Sequence, residues 1–132
     1  SREHTWTFDG GVTVPASPSP TSVKPPYSNA ANVDPEEAYV AAISSCHMLT
    51  FLWVASRLGL EVSSYEDEAV GMMTKNERGI PWVSSVRLRP RVIYAGPHPS
   101  QEDEEDMHHK AHESCYIANS VKTEITVDRG YL

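Results

Sequence analysis

The chain of 132 residues contains two cysteines, Cys46 and Cys115, which are its candidate nucleophiles. The apolar pattern around each predicts that it faces inward on its own helix. Two such cysteines can pack inertly as small apolar side chains. They can also form a redox pair, in which one thiol attacks an oxidant and the other resolves the sulfenic acid as a disulfide. Spacing alone does not separate these alternatives, or exclude a metal site.

Histidines near Cys115 supply the ligands for that metal site. His112 lies three residues before Cys115, and His108 lies one further turn back on the same predicted helix. Together with Cys46, this set would suit tetrahedral zinc. No role follows from the sequence for His109. Since adjacent helical residues point about 100° apart, the histidine next to Cys46 (His47) is expected to be a packed or capping group rather than its base.

Cys46 lies in the middle of a predicted helix over residues 34–59. The start of this helix carries an N-cap, a proline at the first helical position and a capping-box glutamate: Asp34, Pro35 and Glu37. Gly59 supplies a left-handed stop. Apolar residues occur on every side between residues 38 and 56, which predicts a helix buried all round. Its polar residues argue against a membrane span.

The remaining pattern predicts an α+β domain with antiparallel sheets. The expected order is strand, strand, long helix, strand, strand, helix, strand. The predicted strands are His4–Phe8, Val12–Val14, Val62–Lys75, Trp82–Tyr94 and Lys122–Asp128. The second helix begins near Ser100, which is a suitable N-cap for the acidic residues that follow it. Residues 15–26 form a proline-rich loop.

Size and charge limit the possible classes of function. A chain of 132 residues fits a single domain over residues 1–132. Its formal net charge of -7 argues against nucleic acid and anionic membranes as partners. No signal peptide and no run of 18 apolar residues is recognisable, so a cytoplasmic location is expected.

Two segments resemble motifs of the OsmC/Ohr family of thiol-dependent peroxidases. DPEEAYVAAISSCHM resembles the family's helix motif, in which the reactive cysteine follows the first glutamate by ten residues. AHESCYIANS resembles its second cysteine motif, with Ala-His before the cysteine and an asparagine-containing turn after it. Both motifs occur in the right order and separation, and the resemblance covers nearly the whole chain.

The resemblance implies a role for three residues. Cys46 is the peroxidatic thiol, Cys115 the resolving thiol and Glu36 the catalytic glutamate. The implied fold is OsmC-like, with antiparallel sheets, a long central buried helix and an intertwined homodimer that has its active sites at the subunit interface. The implied activity is reduction of organic hydroperoxides without a bound cofactor, with an external dithiol such as a lipoyl group as reductant.

Peroxidases of this family also use an arginine that holds the thiolate and the peroxide oxygens. Arg2 is the candidate in the N-terminal region. The alternatives lie on one face of a predicted strand, opposite Glu66 and Glu68 as cross-strand partners: Arg87, Arg89 and Arg91. A guanidinium offers two parallel N–H groups, and a carboxylate such as Glu36 would orient it.

Helix geometry bears on how such a site is assembled. Glu36 and Cys46 are ten residues apart, or about 15 Å along one helix. We therefore expect each site to combine Cys46 and Cys115 of one chain with Glu36, and Arg2, of the other. Apolar residues expected near the thiol would favour organic hydroperoxides, because burying an alkyl tail gains about 25 cal/mol per Å². These residues are Ile43, Met48, Leu49 and Trp53.

Two alternative functions belong to other classes. One is a non-catalytic dimer of the same fold that binds an apolar ligand and in which Cys46 is vestigial. The other is the zinc-binding module. Thiol titration with and without peroxide distinguishes the first from a peroxidase, and elemental analysis tests the second.

Overall fold

The computed structural model describes residues 1–130, which form an α+β arrangement. Its elements in chain order are β1 (His4–Thr7), β2 (Thr13–Ala16), α1 (Pro35–Arg57), β3 (Val62–Asp67), β4 (Val70–Lys75), β5 (Pro81–Leu88), β6 (Pro90–Tyr94), α2 (Gln101–Ser114), a 3₁₀ turn (Ala118–Ser120) and β7 (Glu124–Val127). The chain divides into two compact units, one of residues 1–39 and one that begins at Val40.

The first unit contains the first two predicted strands, which form a hairpin. β1 and β2 pair antiparallel, with His4 opposite Ala16. The turn between them includes Gly11, whose φ of 95° is a conformation that glycine adopts without strain. β2 continues through Pro15 to Ala16, which lies two residues beyond the predicted end of the strand at Val14. Both strands are therefore confirmed, and the second is longer than predicted.

The second unit contains two sheets. In one, β4 and β5 pair antiparallel and β7 adds parallel to β5. In the other, β3 and β6 form an antiparallel pair. Gly71 in β4 lies so close to α1 that a Cβ there would be 2.7 Å from Cγ2 of Val40. Val86 and Leu88 of β5 are fully buried, and the exposed Arg87 between them lies on the opposite face of the strand.

Each of the two strands predicted after the long helix is divided in the structure. β3 gives way to β4 after Asp67, and β5 gives way to β6 before Pro90. One carboxylate oxygen of Asp67 accepts the backbone N–H of Arg89 at 2.6 Å, and the other accepts from the hydroxyl of Ser44 on α1 at 2.5 Å. Pro90 has no N–H to donate to a ladder. The side chain of Asp67 thus replaces a strand–strand hydrogen bond, and the pairing changes at this point.

α1 begins with the predicted capping box. The backbone N–H of Asp34 donates to Oε2 of Glu37 at 2.9 Å, and the N–H of Glu37 donates to Oδ1 of Asp34 at 2.8 Å. The helix ends at Arg57, and Gly59 has the left-handed φ of 73°. These caps confirm the predicted bounds, because they satisfy groups that a helix end leaves without partners.

One face of α1 is buried and the other is exposed within the single chain. The buried face joins α2 in a core formed by Phe51, Val54, Ala55, Met107 and Ala111. On the other face, Leu49 is 60% exposed and Trp53 is 59% exposed. The sequence predicts a helix that is buried on all sides. Within the single chain this holds for one face only, and a second surface would have to pack against Leu49 and Trp53 to bury the other. Within residues 1–130, α1 is the one helix that is long and apolar enough to cross a membrane. Core helices of soluble proteins also meet this criterion of length and composition.

α2 begins where the sequence predicts. The side chain of Ser100 accepts the backbone N–H of Asp103 at 3.1 Å, and acidic residues fill the first turn. Such residues stabilise the positive end of the helix dipole. Met107 and Ala111 are fully buried against α1. The helix ends at Ser114, so Cys115 is its C-cap residue.

Candidate functional site

The two cysteines lie next to each other in the second unit. Their Sγ atoms are 2.7 Å apart, and both are free thiols. Cys46, in the middle of α1, is half-buried, whereas Cys115 is only 1% exposed. Since a disulfide bond is about 2.04 Å long, a small approach of the two sulfurs would join them. The spacing of the two cysteines in the sequence did not determine how they are arranged. In the structure their sulfurs lie in direct contact.

Backbone N–H groups after α2 donate to both sulfurs. The N–H of Ile117 donates to Sγ of Cys46 at 3.5 Å, and the N–H of Ala118 donates to Sγ of Cys115 at 3.4 Å. Sequence reasoning missed these donors, because a backbone donor does not depend on residue type. The one available signal is the asparagine-containing turn that follows Cys115 in the second motif.

The two thiols differ in their electrostatic environment. Burial raises the pKa of the Cys115 thiol, and its hydrogen bond to Cys46 raises the pKa further. The N–H of Ala118 acts in the opposite direction. Cys115 therefore keeps its proton and donates it to Sγ of Cys46. The arrangement distinguishes a buried, protonated sulfur from a more accessible sulfur that accepts hydrogen bonds.

The histidine that follows Cys46 belongs to the core. Nε2 of His47 and Nδ1 of His108 are 2.9 Å apart, and the two side chains are 1% and 2% exposed. The ring of His108 stacks on Phe51 with centroids 4.3 Å apart. The prediction that His47 is a packed group is confirmed. Within residues 1–130, no group of three His, Cys, Asp or Glu side chains is placed to hold a metal ion.

The buried histidine pair predicts an acid-sensitive fold. Burial, together with repulsion from a neighbouring histidine in each case, lowers the pKa of His47 to about 4 and that of His108 to about 3. The unfolded chain therefore binds protons at a higher pH than the folded chain does. This contribution to stability is complete above about pH 6.5 and is lost as the pH falls toward 4, by at most about 1.4 kcal/mol per pH unit for each histidine.

Urea denaturation between pH 7 and pH 5 measures this effect. As the pH is lowered from 7 to 5, we expect the free energy of unfolding to decrease less in His108→Gln than in the unmodified protein. His98→Gln is the matched control, because His98 is exposed. An unchanged slope in His108→Gln would contradict the assignment of the acid sensitivity to the pair.

The other predicted site residues are placed as follows. Arg2 and Glu36 both belong to the first unit, where the N–H of Arg2 donates to the carbonyl of Tyr27 at 2.9 Å and Glu36 lies in the first turn of α1. Their catalytic roles stay predictions. Arg89, one of the alternatives to Arg2, forms an ion pair with Glu68, with its Nη2 3.2 Å from Oε2, but both residues lie between strands and not within them. Arg87 and Arg91 are exposed, and Arg91 lies opposite Glu66 in the sheet register.

The apolar residues expected near the thiol differ in exposure. Ile43 is fully buried and belongs to the core rather than to a surface beside the thiol, and Met48 is half-buried. Leu49 and Trp53 follow Cys46 by three and seven residues, so they lie on its side of the helix and are exposed. The guanidinium of Arg57 lies 5.4 Å from the ring centroid of Trp53. An apolar surface therefore borders the half-buried thiol, but Ile43 is not part of it.

Comparison with solved structures identifies proteins of the same fold. An OsmC-like protein of unknown function from Vibrio cholerae is 53% identical, with a TM-score of 0.94 over 97% of this chain and 84% of that chain. An organic hydroperoxide resistance protein from Elizabethkingia anophelis is 20% identical, with a TM-score of 0.74 over 96% of this chain and 85% of that one. OhrB of Bacillus subtilis is 21% identical, with a TM-score of 0.68 over 97% and 89%.

A family model agrees with the structural similarity. The model for OsmC-like proteins matches residues 28–129, which include both cysteines. No match was found among curated proteins. The organic hydroperoxide resistance proteins, at 20% and 21% identity, support the fold alone. The family match over most of the chain, together with the relative at 53% identity, shows that this chain belongs to the OsmC family.

Proposed function

We propose that the protein is a thiol peroxidase that reduces organic hydroperoxides, with Cys46 as the attacking thiol and Cys115 as the resolving thiol. The observation that carries this proposal is the pair of sulfurs 2.7 Å apart, one half-buried and one buried and protonated. An inert pair would not need one accessible sulfur. The names of two relatives with this fold, both organic hydroperoxide resistance proteins, agree with it.

In the first step, the thiolate of Cys46 attacks the terminal oxygen of the hydroperoxide. The S–O bond forms as the O–O bond breaks, and the organic fragment leaves as an alkoxide that takes a proton from water. Sulfur is oxidised to the sulfenic acid and the peroxide is reduced to the alcohol. The accessibility of Cys46 fits this role, because the thiolate is the nucleophile and must reach the substrate.

In the second step, the thiol of Cys115 attacks the sulfenic sulfur of Cys46. The S–S bond forms, and the hydroxyl leaves with the thiol proton as water. Because Cys115 is protonated and already in contact with Cys46, it carries the proton that this step releases. An external dithiol then reduces the disulfide by thiol–disulfide exchange and is itself oxidised.

The exposed apolar surface of α1 supports an organic substrate. Leu49 and Trp53 lie beside Cys46, and together they offer a large aliphatic and aromatic area. An alkyl or aryl tail packed there would gain about 25 cal/mol for each Å² of apolar surface removed from water. Hydrogen peroxide has no such tail, so we expect it to react more slowly.

The same exposed surface supports a homodimer. The amino-terminal half of this face carries small exposed side chains, Ala41, Ala42 and Ser45, and the carboxyl-terminal half carries Leu49 and Trp53. Two copies packed antiparallel across a two-fold axis would place the small residues of one helix against the large residues of the other. Such packing would cover part of the face that the single chain leaves exposed, and the uncovered part beside Cys46 would receive the substrate tail.

Mass spectrometry of the reduced protein after stoichiometric cumene hydroperoxide tests the proposed activity. We expect loss of two hydrogens and a cross-linked peptide that contains Cys46 and Cys115. Hydrogen peroxide at the same concentration should give less product in the same time. Unmodified Cys46 after cumene hydroperoxide would refute the peroxidase and favour a protein that binds an apolar ligand without thiol chemistry.

A further inference from the structure

The turn of residues 115–120 contacts both sulfurs through backbone N–H groups, and hydrogen bonds hold it in a defined conformation. Nδ2 of Asn119 donates to the carbonyl of Cys115 at 2.9 Å and to the carbonyl of Glu113 at 3.0 Å. The backbone N–H of Asn119 donates to the same carbonyl of Cys115 at 3.1 Å. The hydroxyl of Ser120 donates to the carbonyl of Tyr116 at 2.8 Å. These bonds fasten the turn to the end of α2.

The fastened turn directs two consecutive N–H groups at two different sulfurs. The N–H of Ile117 donates to Cys46, and the N–H of Ala118 donates to Cys115. The N–H of Ile117 also lowers the pKa of Cys115, but less than the N–H of Ala118 does. A hydrogen bond strengthens when its acceptor becomes an anion, so each donor acts most on the thiolate form of its sulfur. Because the two donors belong to different residues, they can be removed one at a time.

We propose that this turn stabilises the thiolate of Cys46 through the N–H of Ile117 and the thiolate of Cys115 through the N–H of Ala118, with Asn119 as the positioning residue. The inference rests on the proposed function for the order in which the thiolates act. Ile117 assists the first step, in which Cys46 attacks the peroxide. Ala118 assists the second, in which Cys115 gives up its proton and attacks the sulfenic sulfur.

Proline substitutions remove each donor separately. Ile117→Pro deletes the N–H that faces Cys46, and its φ of -68° is one that proline adopts. Ala118→Pro deletes the N–H that faces Cys115. Ile117→Ala is the matched control for Ile117→Pro, because it removes the side chain and keeps the N–H. Circular dichroism and the urea midpoint establish that each variant is folded.

The rate of iodoacetamide alkylation of Cys46 as a function of pH is the main readout. For Ile117→Pro we expect the midpoint of this profile to rise by about one pH unit, which slows alkylation below the midpoint by about threefold, because the more basic thiolate is scarcer but is also the better nucleophile. Ile117→Ala should move the midpoint much less. Alkylation needs no peroxide, so this result stands even if the protein has no peroxidase activity, whereas an inactive protein with the expected shift would refute only the proposed function.

Asn119→Ala provides a second variant that leaves every backbone N–H in place. We expect it to raise the same midpoint, since the turn loses the two bonds from Nδ2. In single-turnover measurements with cumene hydroperoxide, Ala118→Pro should slow disulfide formation more than sulfenic acid formation, and Ile117→Pro should slow sulfenic acid formation more than Ala118→Pro does. Unchanged midpoints in folded Ile117→Pro and Asn119→Ala would overturn the proposal.

Discussion

We expect Cys46→Ser to reduce the consumption of cumene hydroperoxide to the background rate, because a serine hydroxyl at neutral pH does not replace a thiolate as nucleophile. Cys115→Ser permits one attack and then stops, because no second thiol lies beside the sulfenic acid. A sulfenic acid trap followed by mass spectrometry should label Cys46 in Cys115→Ser and label neither position in Cys46→Ser. Peroxide consumption in the presence of excess dithiol measures turnover in both variants.

The comparison of these two variants is itself a control, since both remove one partner of the same sulfur contact. A fold that was merely loosened by losing that contact would lower activity equally in both, and neither would be labelled. Turnover by Cys46→Ser at the rate of the unmodified protein would contradict the assignment. Equal circular dichroism spectra would show that the variants differ in chemistry and not in folding.

Hybrids of two inactive variants regain peroxidase activity if each site uses residues of both chains. Glu36 and Cys46 stand about 15 Å apart along α1, so a glutamate that assists the thiol is expected to come from the antiparallel helix of a partner. Glu36→Ala alone and Cys46→Ser alone should each form dimers of low activity. After subunit exchange, a mixed dimer has one intact site, and equal mixing should restore about a quarter of the activity of the unmodified protein.

The exchange of subunits between the two variants must be demonstrated separately, because the absence of recovered activity is informative only when mixed dimers have formed. Mass tags on one variant show mixed dimers directly, and light scattering at micromolar concentration reports the mass of the assembly. A monomer by light scattering would contradict the homodimer. Proven exchange without recovery would contradict the composite site but leave the dimer intact. Mixing Glu36→Ala with Cys115→Ser should recover activity in the same way, because Cys115 is predicted to act with Cys46 of its own chain.

Local sequence signals predicted the helices and the first two strands well. Asp34 and Glu37 specify a capping box through their own side chains, and Ser100 specifies the start of α2 in the same way. Such signals need only neighbouring residues, so they can be read without the fold. The division of residues 62–75 and 82–94 into four strands could not be predicted in this way, because it depends on the hydrogen bond between the side chain of Asp67 and the backbone N–H of Arg89.

The candidate site was predictable in its side chains and not in its backbone. The motifs identified Cys46 and Cys115, but the order of their exposure follows from the end of α2, where Cys115 becomes a buried C-cap residue. The donors from Ile117 and Ala118 depend on the path of the chain after that cap. A sequence pattern specifies residue types, and these donors are peptide groups that any residue but proline would supply.

The proximity of the two sulfurs would also determine which reductant can regenerate the proposed peroxidase. Cys46 and Cys115 are 69 residues apart in sequence, yet the fold keeps them in contact, so each is present at a very high effective concentration for the other. A monothiol that opened the disulfide would form a mixed disulfide with Cys46, and Cys115 would displace it before a second monothiol arrived. A dithiol completes the exchange with its own second sulfur, in an intramolecular step that competes with Cys115. We therefore expect a lipoyl-type dithiol to sustain turnover where glutathione at the same thiol concentration does not.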